Sequence, residues 1–246
     1  MEKVLKYDRG AVGAYDGVAQ QRPWDCGPAS AQIILQACGI NVDEQTLIDK
    51  IGTNINGTNH AGLITPVLNE YLAGSGYIAV WLSKEPVSQN QIETLWKNIK
   101  RSIDSGRGVV LNFEAPPGAG PKGSRGSVAP PYPRWSTTYH YTAGMGYAVD
   151  SDGSRHVWVA DPACFGGISG FWCPLEDIAR LIVPHAYGFA ADAPIVIEPG
   201  PPPPPEPPVV VSEVDRLKKV LTDLLALIEA YNPDLLAAYL SHMKAN

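Results

Sequence analysis

The chain has 246 residues, 45% of them hydrophobic and 18% charged, with a formal net charge of −6. That balance is ordinary for a globular protein with one sizeable core and an appendage, and it lacks the basic footprint of a dedicated nucleic-acid binder. Four cysteines without CxxC spacing are too few for a disulfide scaffold. No apolar run approaches the roughly 18 residues of a membrane span, and MEKVLKYDRG has charge but no apolar core, so no signal peptide is expected.

Residues 1–19 read as a lead-in of short extended pieces. In QQRPWDCGPASAQIILQACG, residues 20–39, Pro28 suits a first helical position because its missing N–H is not needed there. A helix over 28–38 follows, stopped by Gly39. Cys26 would sit just ahead of it, where unpaired helix N–H groups favour a thiolate. Asp43 can cap a short helix over 44–51 with Leu47, Ile48 and Ile51 on its apolar face. GTNINGTNHAG, 52–62, is a loop, and Leu63 to Leu72 marks a third helix. Residues 77–82 alternate as a strand.

Ser88 and Gln91 form a capping box that opens a helix ended at Gly106. A strand over 109–113 leads into an irregular stretch, 114–135, long enough to be read as a substrate-covering loop. Strands over 139–149 and 156–160 flank a turn at 150–154 and make an antiparallel hairpin. A helix over 174–183 and short strands at 187–190 and 194–197 complete the series. Early helices and later antiparallel strands predict an α+β fold. PGPPPPPEPP is a stiff, extended linker. It divides the chain into a domain (1–198), a proline-rich linker (199–211) and a helical tail (212–246). The tail's apolar stripe needs a partner: a second copy (the preferred reading), the main domain, or another protein.

A thiolate nucleophile needs an imidazole, and the imidazole needs an orienting acceptor. Among five histidines, His140 begins the strand YHYTAGMGY, and the second hairpin strand ends in Asp161-Pro162. The hairpin brings positions near 140 and 161 opposite each other at its open end. Gln20, six residues before Cys26, can supply a side-chain amide to an oxyanion hole, with Gln21 as its alternative. Cys26, His140, Asp161 and Gln20 are therefore the candidate catalytic residues, in the arrangement of a papain-like thiol hydrolase. Asp25 reads as a surface carboxylate or a local hydrogen-bonding group with no catalytic role, and a disulfide between Cys164 and Cys173 stays open. No ligand pair has close metal spacing, so neither metal nor cofactor is expected.

VAQQRPWDCGPASAQIIL resembles the cysteine box of the C39-like peptidases, YHYTAGMGY their histidine box and VADP their aspartate box. DCGPASAQ, GTNINGT, RSIDSGRGVVLNFEAPP, KGSRGSV and HYTAGMGY are similar to the N-terminal peptidase domain of mycobacteriophage endolysins. The resemblance spans about residues 15–195. It implies a papain-like fold and a cysteine endopeptidase that hydrolyses mycobacterial peptidoglycan peptides during host lysis. Synthesis in the host cytoplasm and release to the wall by a holin would go with that. A protein-processing protease or an acyl transferase would use the same chemistry, and a non-enzymatic assembly protein would use only the fold.

Overall fold

The computed structural model describes residues 1–7, 20–82, 86–193 and 221, and the fold below belongs to the unit Met1–Glu198. The expected strand at 194–197, the proline linker and the helical tail with its proposed self-association lie outside the described residues.

Seven strands, all antiparallel, form one sheet: β1 (Glu2–Val4), β2 (Tyr77–Trp81), β3 (Val109–Ala115), β4 (Thr138–Val149), β5 (Arg155–Ala160), β6 (Gly170–Pro174) and β7 (Ala186–Ala190). They lie in the order β2-β7-β3-β4-β5-β6, with β1 also paired to β4. Five helices join them: α1 (Cys26–Ala37), α2 (Glu44–Ile51), α3 (Ile64–Tyr71), α4 (Gln89–Asp104) and α5 (Leu175–Ile182). The period of two along β3 divides the core. Val109, Leu111 and Phe113 face the apolar stripes of α4 and α5, while Val110 joins α1, α2 and α3 on the other side. The chain is thus an α+β fold with helices packed on an antiparallel sheet, as its pattern predicts.

Local chemistry explains the helix limits. Asp43 accepts from the Thr46 N–H at 2.9 Å and Gly52 closes α2 in the left-handed region. Both halves of the Ser88–Gln91 capping box are present at α4. The helix α1 starts two residues earlier than expected, so Cys26 is its first residue rather than its forerunner. Pro28 still costs nothing, because the first turn has no intrahelical acceptors for its N–H groups.

β4 is the long strand on which the site is built. Its first half pairs with β3, and β1 continues along the same edge opposite Gly146 to Ala148. A bulge between Gly144 and Gly146 shifts the β4–β5 register and puts Met145 and Tyr147 on opposite faces of the sheet. A Cβ at Gly146 would come within 2.7 Å of the Lys3 carbonyl, so glycine is required where β1 crosses the bulge. β6, which pairs with β5 along its whole length, is not among the strands that the sequence pattern predicts. Gly170 and Pro174 at its ends masked a five-residue strand.

Candidate active site

Cys26 and His140 come from different layers: the nucleophile candidate from the first turn of α1, the imidazole from the start of β4. The Tyr141 N–H donates to the Cys26 sulfur at 3.4 Å, which ties the helix N-terminus to the strand. Cys26 is 8% exposed, His140 3% and Asp161 1%. His140 Nε2 hydrogen-bonds Asp161 Oδ1 at 2.7 Å, and Cys26 lies close enough to act on the charge of the ring. With Nε2 engaged by the carboxylate, Nδ1 is the nitrogen left for sulfur. Burial alone would push the His140 pKa down, but Asp161 and then Cys26 outweigh it and carry it up to about 10. The imidazolium is therefore the form held at neutral pH.

His140 and Asp161 are not directly opposed, as the hairpin reading expected. The last β4–β5 pair is Ala143 with Ala160, so Asp161 follows one step beyond the ladder and reaches His140 diagonally. The bulge and the chain's departure from β5 make that reach. The Asp161 N–H donates to the Ser169 carbonyl at 2.9 Å, and the Ala163 N–H returns to Asp161 Oδ1 at 2.9 Å, an Asx turn that fixes the carboxylate.

Gln20 is drawn to the same place. Its N–H donates to the Pro162 carbonyl at 2.8 Å, beside Asp161. Its side-chain Nε2 donates to the Arg22 carbonyl at 2.8 Å, which uses one of the amide's two hydrogens. Gln21 is exposed and its N–H goes to Glu44 Oε1 at 3.1 Å. Asp25 is fully buried, so its reading as a surface carboxylate is corrected: Oδ1 accepts from the Arg22 N–H at 3.1 Å.

Several neighbours were not singled out from the sequence. Tyr132, buried in the 114–135 stretch, donates its hydroxyl to Asp161 Oδ2 at 3.3 Å. Its ring stands edge-on to His140 at 5.8 Å, and Phe165 does the same at 5.6 Å. Between Pro131 and Pro133, Tyr132 carries no periodic signal. Residues 122–127 of that stretch are stitched to the sheet edge and α5. Ser124 and Ser127 bond the β6 backbone, the Lys122 N–H bonds Asp177, and Arg125 pairs with Glu2 and Asp150. Paired backbone groups of this kind are what a strand edge demands, so this part of the expected substrate-covering loop is anchored at the sheet edge.

A cleft of about 220 Å³ opens at Cys26, lined by Asn56, Gly57, Thr58, Asn59, Asn112, Tyr139, Tyr141 and His185. Tyr141 accepts from Asn112 Nδ2 at 3.0 Å, and burial and then Cys26 raise the Tyr141 pKa, keeping its phenol neutral. His185 pairs with Glu114 at 2.8 Å on the rim. Among nearby aromatic residues, Tyr139 lines the cleft, Trp172 packs inside β6 against Trp158, and Trp135 is 85% exposed. All four cysteines are free thiols, Cys164 and Cys173 included. Among the described residues no helix is long and apolar enough to cross a membrane, and no cluster of potential metal ligands occurs.

Comparison with known proteins agrees with this arrangement. Residues 15–168 match the Peptidase_C39 like family. An uncharacterized protein of Methanothermobacter thermautotrophicus is 36% identical over 59 residues, 24% of this chain and 42% of that one; the chain therefore spans less than half the length of the curated relative it matches. Among solved structures, a putative C39-like peptidase from Bacillus anthracis aligns with 79% of this chain and 100% of its own at 16% identity and a TM-score of 0.45. A double glycine motif protease from an AMS/PCAT transporter, in complex with the leader peptide, aligns with 78% and 99% at 13% identity and a TM-score of 0.40. The peptidase domain of Streptococcus ComA, a bi-functional ABC transporter, aligns with 72% and 100% at 17% identity and a TM-score of 0.42.

The family match corrects the endolysin expectation: it reaches the C39-like peptidase family and does not extend to a phage enzyme, peptidoglycan, host lysis or holin release. The physical reason is that the cysteine, histidine and aspartate boxes build the nucleophile's surroundings, which every substrate class shares, whereas cleft-lining loops choose the substrate. A cysteine helix docked against a histidine strand, with the aspartate following the next strand, is the architecture of its family: the chain belongs to the C39-like cysteine peptidases.

Proposed function

We propose that this chain is a protein-processing cysteine peptidase that uses Cys26, His140, Asp161 and Gln20. Cys26 attacks the scissile carbonyl while His140 holds the thiol proton. The oxyanion is met by the Cys26 N–H, which α1 leaves without an intrahelical partner, and by the second N–H of the Gln20 amide. His140 then protonates the leaving amine, and water, deprotonated by His140, hydrolyses the thioester. Asp161 keeps Nε2 protonated and turns Nδ1 toward sulfur.

The observation that carries this reading is the buried His140–Asp161 pair at 2.7 Å with Cys26 set beside it, its sulfur accepting from the N–H of the next residue, Tyr141, at 3.4 Å. The cleft's amides, from Asn56, Asn59 and Asn112, suit the backbone of an extended polypeptide, which offers both donors and acceptors.

The test is a digest of a denatured bacterial proteome by the full chain, with new N-termini labelled and sequenced by mass spectrometry, beside a Cys26→Ala control. New termini with a shared sequence context are expected from the wild type and none from the control. Cleavage retained by Cys26→Ala would remove the nucleophile assignment. If a small primary amine is added and is incorporated in preference to water, the acyl-transferase reading replaces hydrolysis.

A further inference from the structure

The turn over residues 20–25 carries both Gln20 and the approach to Cys26, and two buried carboxylates hold it. Asp25 is 0% exposed and Glu44, the first residue of α2, is 1% exposed. One oxygen of each accepts a backbone N–H of the turn: Asp25 Oδ1 that of Arg22 at 3.1 Å, and Glu44 Oε1 that of Gln21 at 3.1 Å. The other oxygens, Asp25 Oδ2 and Glu44 Oε2, are buried without a hydrogen-bond partner, and the Asp25 carboxyl lies near enough to act on Glu44.

Two ionised carboxylates in contact in a dry site repel and leave both inner oxygens unpaired, which is costly. One proton between them removes both problems, as the Glu44 O–H donates to Asp25 Oδ2. The sequence carries a trace of this: Glu44 occupies the apolar stripe completed by Leu47, Ile48 and Ile51, spaced i, i+3, i+4, i+7.

We propose that Asp25 and Glu44 share one proton and act as positioning residues, clamping the turn that presents Gln20 beside Cys26, so that loss of the proton releases the turn. The role in catalysis rests on the assignment of Gln20 and Cys26 above; the shared proton does not. Burial, then the neighbouring Asp25 carboxylate, pushes the Glu44 pKa up to about 8, so the clamp opens at mildly alkaline pH. The other charged group facing the pair is Arg22, which pulls the Glu44 pKa the opposite way without reversing it. Arg22 is itself held by Gln45 at 2.8 Å and stacked on Trp24.

Glu44→Gln tests this in the full-length protein, because a carboxamide keeps the acceptor for Gln21 and a permanent donor for Asp25. Two measurements apply from pH 6 to 10. Infrared spectroscopy should show a protonated-carboxyl C=O band in the wild type that fades through about pH 8 and is missing from Glu44→Gln. Hydrogen-exchange protection of the Gln21 and Arg22 amides should fall at least tenfold between pH 7 and 9 in the wild type and stay level in Glu44→Gln. Absence of the band from the wild type at pH 7, or an equal fall of protection in both proteins, overturns the proposal. Cys26→Ala should keep the band and the protection, so a failure of the nucleophile assignment is seen separately, as cleavage that survives this substitution.

Discussion

The Tyr132 hydroxyl donates to Asp161 Oδ2 at 3.3 Å, so the carboxylate that holds His140 through one oxygen is itself held through the other. Burial, then the charge of Asp161, raises the phenol's pKa well above its ordinary value, and Tyr132 remains a donor at every working pH. Its ring also stands edge-on to one side of His140, with the centroids 5.8 Å apart. Tyr132→Phe would keep the ring and leave a buried carboxylate oxygen unpartnered, at a cost of about 1–3 kcal/mol. The expected result is a fall of about 5- to 100-fold in kcat with KM little changed. An unchanged kcat would show that the bond to Asp161 does not orient His140.

Alkaline pH should weaken the fold in two overlapping steps. The folded pKa of His140 is raised from 6.5 to about 10, so the folded state holds a proton that the unfolded chain has released. That contribution is complete below pH 6.5 and is lost as pH rises through about 10. Glu44, raised from 4.5 to about 8, follows the same sign: its contribution is complete below pH 4.5 and lost as pH rises through about 8. Thermal midpoints measured from pH 5 to 10.5 should therefore fall continuously. Glu44→Gln should flatten the lower part of the curve and His140→Gln the upper part. A midpoint that rises between pH 7 and 10 would reverse both assignments.

Thiol chemistry separates the four cysteines. The thiolate is the species that alkylates, and burial pushes the thiols of Cys38, Cys164 and Cys173 up, Cys173 furthest. Cys26 is the thiol set beside His140, its sulfur accepting from the Tyr141 N–H at 3.4 Å. Iodoacetamide at pH 7 should accordingly label Cys26 at least tenfold faster than any other cysteine, and His140→Gln should abolish that preference. Peptide mapping of the native protein without reductant should find four free thiols and no Cys164–Cys173 bridge. First labelling at Cys164, the most peripheral competitor on the aspartate turn, would count against the pairing of Cys26 with His140.

Much of this arrangement is legible in the sequence because it depends on short-range chemistry. Asp43, the Ser88–Gln91 box and Gly39 act within a few residues of themselves, and the helices they bound lie where the pattern puts them. Cys26 announces itself through Gly27-Pro28, and His140 and Asp161 through the two ends of one hairpin. What escapes are contacts set by long-range packing. Tyr132 reaches Asp161 across 29 positions from a segment with no periodicity. Glu44 meets the 20–25 turn only because α2 folds back on α1. The bulge at Met145 is likewise invisible, since a run of Ala143, Gly144, Met145 and Gly146 reads equally well as a regular strand. Substrate choice is the clearest case: motifs that surround a nucleophile are shared by enzymes with different substrates, and the resemblance to endolysins borrowed a substrate that those motifs do not encode.

Gly27 is the tightest point of contact between the nucleophile helix and the cleft. A Cβ there would fall on Thr58 Oγ1, 2.9 Å from Thr58 Cβ and 3.4 Å from Ile64 Cδ1. Thr58 cannot simply rotate away, because its hydroxyl is bonded to that of Thr53 at 2.7 Å in a buried pair and its side chain lines the cleft beside Asn56 and Asn59. Alanine gains about 1 kcal/mol over glycine inside a helix, whereas forced repacking of a close-packed site costs about 1–3 kcal/mol. Gly27→Ala should thus lower stability by up to about 2 kcal/mol in urea unfolding and reduce cleavage, because the loop bearing Thr58 shifts or α1 carries Cys26 away from His140. Adding Thr58→Ala removes the hydroxyl but leaves the Cβ contact, so it should recover part of the stability relative to Thr58→Ala alone. Adding Thr58→Ser keeps the hydroxyl and should recover none. If Gly27→Ala proves as stable and as active as the wild type, the close approach of α1 to the cleft wall does not hold Cys26 in place.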